Sequence, residues 1–141
     1  MTTPTPVPTT QLAIDMITAA GWDGDQETGA PLYAGPYIPE SPDRLVVLTA
    51  TSGPGYLTDE GYPDAVSFQA RVRGPSDDEP SAEMLAILLD QLILQLPTPV
   101  TIDGVSIGSI QRLGGSPVAL PFDPNDLRYD FTCNYVLNRG A

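Results

Sequence analysis

Leu127-Arg-Tyr-Asp-Phe-Thr-Cys-Asn-Tyr-Val-Leu137 decides the fold class. Its residues alternate with the two-residue period of a β-strand. Leu127, Tyr129, Phe131, Cys133, Tyr135 and Leu137 fall on one side, and Arg128, Asp130, Thr132 and Asn134 on the other. A strand of this pattern belongs to a sheet with one buried and one wetter face. Ala65 to Arg73 repeats it, with Val66, Phe68, Ala70 and Val72 against Ser67, Gln69, Arg71 and Arg73. Arg44 to Ala50 is apolar on both sides and so reads as a central strand. Val100 to Ile107 is a hairpin turning on Asp103-Gly104, the residue pair that a type I′ turn favours. Its second arm runs to about Arg112, and Leu113 to Pro124 reads as an irregular crossover.

Two helices complete the pattern. One spans Gln11 to Ala20, with Thr9 or Thr10 as its cap, Gly21 at its C-terminal stop, and Leu12, Ala13, Met16, Ile17 and Ala20 on one face. The other starts at Asp77 or Asp78, tolerates Pro80 only in its first turn, and ends before Pro97. Its apolar set, including Met84, Ile87, Leu88 and Leu94, is wider than one core-facing stripe needs. The surplus lies against another subunit or under long loops of the same chain. Residues 1–10 are rich in Thr and Pro and read as an extended arm. Residues 21–43 read as loop with either short local structure or mobility, anchored by Tyr33, Tyr37 and Ile38. Thr51 to Asp64 is a long polar connection with a Gly/Pro-rich tip. The expectation is a single α+β domain over 1–141: one mostly antiparallel sheet, two helices on one face, and protruding loops.

Composition narrows the function. The 141 residues contain 18 acids and 6 bases, giving a net charge of −12, and every base is Arg. So acidic a surface repels phosphate backbones and anionic lipid, which argues against a free-standing nucleic-acid binder and a membrane-surface protein. No stretch of 18 apolar residues could span a bilayer. The opening Met1 to Thr10 lacks the basic and apolar regions of a secretory signal. Histidine is absent, which removes the usual general base and the commonest zinc ligand. The single cysteine, Cys133, rules out an internal disulfide. These absences disfavour most enzyme classes and point to a structural or interaction protein with no catalytic residues, cofactor or metal.

The remaining motifs have plain readings. Asp77, Asp78 and Glu79 could bind a divalent cation but suit a helix N-terminus better. Asp23, Asp25 and Glu27 resemble half of a calcium loop, without the rest of the pattern. Ser52 to Gly55 and Gly114-Gly115 supply turns, since no Lys or helix follows as a phosphate loop requires. Cys133, with no histidine to activate it, reads as a buried thiol. Arg71 and Arg73 lie on a polar strand face, where they serve an acidic partner surface or pair within the chain.

Gly21 after a helix, Tyr37 to Asp43, the strand Arg44 to Ala50, Gly53 to Gly55, Val66-Ser-Phe-Gln-Ala-Arg-Val-Arg-Gly74, the Ala/Leu-rich helix, the Ile102 to Val105 hairpin and Arg128 to Tyr135 together resemble the tail terminator proteins of siphophages, over about Gln11 to Leu137. The resemblance implies a non-enzymatic virion protein at the head–tail junction, assembled in the bacterial cytoplasm. It would form a homohexameric ring that caps the head-proximal end of the tail tube, ends its polymerisation, and meets a head-closure or connector protein. Genomic DNA would pass through the acidic bore without specific binding. On this reading Arg71, Arg73, Met84, Ile87 and Leu94 are candidates for the subunit interface. Gly53, Gly55, Tyr56 and Tyr62 are candidates for the contact with the tail tube. The alternatives are another ring-forming neck protein, either head-closure or connector adaptor, and a small domain acting through carboxylates alone. The latter would need two acids at a defined separation in a cleft.

Overall fold

The computed structural model describes residues 7–25, 28–51, 65–122 and 124–139. In chain order the elements are α1 (Thr9–Ala19), β1 (Leu32–Ala34), β2 (Leu45–Thr51), β3 (Ala65–Arg73), α2 (Glu79–Gln95), β4 (Val100–Ile102), β5 (Val105–Ala119) and β6 (Asp130–Arg139). The six strands form one sheet in the order β1-β2-β3-β6-β5-β4, with β1 parallel to β2 and every other pair antiparallel. The class is α+β. Both helices share a core with the same sheet face, formed by Val46 and Leu48, Phe68, Ala70 and Val72, and Phe131, Cys133, Tyr135 and Leu137. At its centre the rings of Phe68 and Tyr135 stack 5.3 Å apart. α1 packs on β1 at one edge of the sheet and on β4 at the other, so the sheet curls around it as a half-barrel.

The loop after β1 folds over the opposite face of the sheet. Gly35 donates to the Leu48 carbonyl at 2.7 Å and lies so near Thr49 and Val47 that a side chain there would collide with both. This layer leaves Leu45 and Val47 buried. A second tight approach joins β3 to α2. A Cβ on Gly74 would fall 2.5 Å from the Cα and Cβ of Ala82, so only glycine lets the first turn of α2 close on the strand end.

Several boundaries depart from the sequence expectation. α1 starts two residues early, at Thr9. Its N-cap is Pro8, with no side-chain cap from Thr9 or Thr10, which are already helical. The end of the expected arm is therefore helix, and Val7 packs against the core. β1 lies inside the stretch read as loop; three residues are too few to show a period, and its parallel partner β2 holds it. β5 continues to Ala119 through the expected crossover. Leu113 faces Asn134 and Val118 faces Thr132, so five steps along β5 match two along β6 and the surplus forms a bulge around Gly114 and Gly115. β6 begins at Asp130 rather than Leu127. Leu127 has φ 57° and its carbonyl accepts the Asp77 N–H at 2.6 Å, while Tyr129 stacks on Phe122 at 4.3 Å.

The β4–β5 turn has the expected form, with φ 53° at Asp103 and 78° at Gly104. Asp15 of α1 approaches Asp103 and holds its carboxyl above the ordinary carboxylate range, by a shared hydrogen bond first and by like-charge repulsion. A carboxyl raised in the folded state binds its proton more tightly there than in the unfolded chain. The unfavourable contribution is therefore present at neutral pH and disappears as pH falls through the folded value. Asp103→Asn removes the repulsion and keeps a residue suited to positive φ. Its melting temperature should exceed the parent's at pH 7, with the gap narrowing towards pH 3 in thermal scans.

A candidate subunit interface

α2 has two apolar faces. Ala82, Leu85, Ala86, Leu89 and Ile93 point into the core. On the other side Met84, Leu88 and Leu94 are 55%, 48% and 39% exposed, with Ile87 half-buried between them. At helical spacing these join Gln91 and Gln95 in a stripe without a charge, since the exposed acids Glu79 and Glu83 stand at the first turns. Three of the sequence candidates, Met84, Ile87 and Leu94, thus share one outward stripe. Leu88 belongs to it as well.

The helix ends are set by local chemistry. Asp78 caps α2, its carboxylate accepting from the Ser81 N–H at 3.1 Å and the Ser81 hydroxyl at 2.7 Å. These bonds hold the Asp78 carboxyl below its ordinary value. The helix stops at Leu96, before Pro97.

Beneath the stripe lies a polar group that the apolar pattern concealed. Asp90 is buried on the inward face of α2. One of its oxygens accepts from the Tyr135 hydroxyl at 2.7 Å and weakly from the Cys133 thiol at 3.8 Å; the other forms an ion pair with Arg112 of β5. Burial first, then these bonds, push the Tyr135 phenol far above its ordinary range, and burial likewise raises the Cys133 thiol. A raised thiol is a poor nucleophile, in keeping with the reading of Cys133 as a buried thiol. The adjoining cavity, lined by Leu89, Pro117, Phe131 and Cys133 among others, has room for about one water molecule. Such a space admits no organic substrate. The network instead fastens α2 to β5 and β6, and so fixes the orientation of the outward stripe.

The arginine candidates divide. Arg73 is 4% exposed, and its guanidinium donates to the carbonyls of Pro39, Glu40, Pro42 and Asp43 at 2.8–3.1 Å. Burial lowers its pKa from the ordinary value. This corrects its assignment to the interface: the loop that covers the sheet closes on it. Arg71 pairs with Asp130, Nε donating at 2.6 Å, and its side chain stays about one-third exposed. Of the two readings of this pair, the structure supports pairing within the chain.

The acidic motifs also have local uses. Asp23 accepts from the Asp25 N–H at 2.9 Å and the Thr28 hydroxyl at 2.7 Å, which lowers its pKa. Among the described residues no group of three or more acids and cysteines is placed to hold a metal ion. Glu27 and the candidate tube contacts Gly53, Gly55, Tyr56 and Tyr62 lie outside the described residues. Gly114 and Gly115 sit in the β5 bulge.

The chain matches no family model, and no curated protein matches it.

Proposed function

We propose that this protein is a ring-forming structural component of a phage neck, and specifically a tail terminator. The observation that carries the reading is the uncharged apolar stripe Met84-Ile87-Leu88-Leu94 on a chain of net charge −12, locked outward by the Asp90 network. An apolar helix face that the subunit leaves open fits a partner protein rather than a small substrate. Closed rings form from heterologous contacts, in which one patch meets a different patch on the next copy. The α+β fold with both helices on one sheet face accords with the resemblance, and an acidic wall would let DNA pass without adsorbing.

The test is tube assembly. Purified protein is added to polymerising tail-tube protein from a phage that encodes this chain, and tube lengths and ends are scored by negative-stain electron microscopy. The reading expects a ring at one end and arrested growth. Tubes that keep growing with bare ends would refute it, and binding to the connector instead would make the protein a different neck component.

A further inference from the structure

We infer that the connection between β5 and β6 is a docking knob, with Leu127 and Phe122 entering an apolar socket on the protein that meets this one from the head side. The inference rests on the capping reading and names the surface that faces away from the tube.

The position follows from the strand register. Leu45 of β2, Arg73 of β3 and Asp130 of β6 lie side by side at one end of the sheet. Thr51 faces Ser67 and Ala65 faces Asn138 at the other. The connection 52–64, with the candidate tube contacts, joins β2 to β3 at this second end. The β5–β6 connection stands at the first. Both of its arms are pinned: Leu120 donates to the Asp130 carbonyl at 2.9 Å, and Gly74 donates to the Tyr129 carbonyl at 3.2 Å. A ring that turns 52–64 towards the tube therefore turns the knob towards the head.

The knob is apolar and held firmly. Phe122 stacks on Tyr129, and Pro121 and Pro124 restrict the backbone on either side of residues 122–123. Phe122 and Leu127 are 38% and 47% exposed, and Leu127 lies outside the core. Its φ of 57° is in the left-handed region, which is costly for leucine and free of that cost for glycine. Asp77, which donates to the Leu127 carbonyl, has φ 56° as well. Glycine or asparagine would serve the single chain better at 127. A leucine kept there at a conformational cost, half in water, has its use outside the subunit.

Charge and position select the occupant. Arg128 meets Asp43 at 3.1 Å and Asp126 at 3.7 Å, and Arg71 meets Asp130, so these acids around the knob are already paired. A basic surface gains little here, whereas an apolar socket fits. A rigid ring beside a fixed leucine enters such a socket with little ordering cost. Copies within one ring meet side by side, which leaves an end surface to a different protein.

The test uses DNA-filled heads that lack tails, taken from a phage that encodes this chain. Purified protein is mixed with the heads, and binding is read by co-sedimentation through sucrose. The parent should bind. Leu127→Asn should bind about tenfold or more weakly, while melting no lower than the parent and still arresting tube growth. Phe122→Ser should also lose binding, and Leu127→Met should bind like the parent. A parent that leaves the heads bare, a Leu127→Asn protein that binds them equally well, or one that no longer forms rings would each overturn the docking. Capped tubes with binding indifferent to Leu127 would sink the knob and leave the capping reading standing; Leu127-dependent binding to heads with tubes that grow on bare would do the reverse.

Discussion

Asp90→Ala should destabilise the subunit by about 3 kcal/mol, a drop of roughly 10 °C in melting temperature. The substitution leaves the Arg112 guanidinium facing a buried pocket without its counter-charge, and Arg112 Nε already has no hydrogen-bond partner among the described residues. It also strips the Tyr135 hydroxyl of its 2.7 Å acceptor in the core. Removing one member of a buried pair usually costs about 3–5 kcal/mol. The Arg112 side chain is 28% exposed and can recover some hydration, which places the value at the lower end. Tyr135→Phe removes one hydrogen bond and keeps the ion pair, so it should cost only about 1–2 kcal/mol. Urea titrations of both variants check the order. Equal losses, or an Asp90→Ala protein as stable as the parent, would show that the network does not hold α2 in place.

The second large effect concerns assembly. Leu88→Glu combined with Leu94→Glu places two carboxylates on the outward stripe of α2. Both side chains are already well exposed in the single chain, so subunit stability should shift by no more than about 0.5 kcal/mol per site. Association is another matter. Burying each leucine in a contact contributes about 1.5–3 kcal/mol, and a carboxylate in its place must be desolvated beside an acidic neighbour. Each contact should weaken by at least about a hundredfold, and the ring should dissociate. A double variant that melts like the parent and still assembles would remove α2 from the interface.

Much of the fold is legible in the residues because it follows from local patterning. β3 has the bounds that its alternation dictates, the Asp78 cap and Pro97 delimit α2, and Asp103-Gly104 makes the expected turn. What escapes is what depends on distant partners. β1 exists because β2 lies beside it. The later half of β5 is extended because β6 supports it across the bulge. Asp90 sits in an apolar run, and only the fold brings Arg112 and Tyr135 to it; a lone acid on the inner face of a helix was the available signal. Arg73 follows the polar phase of its strand and is nevertheless buried, since the phase cannot foretell that residues 39–43 cross that face. The outward stripe of α2 is visible in the residues as a surplus of apolar positions.

Self-association is the claim on which the account depends, and sedimentation velocity on the unmodified chain tests it most directly. Across micromolar concentrations the account predicts a single closed species near six times the 15.0 kDa chain mass, which the Leu88→Glu/Leu94→Glu variant converts to the single chain. A parent protein that sediments as one 15.0 kDa unit up to the highest concentration, alone and with tail-tube protein, would contradict it.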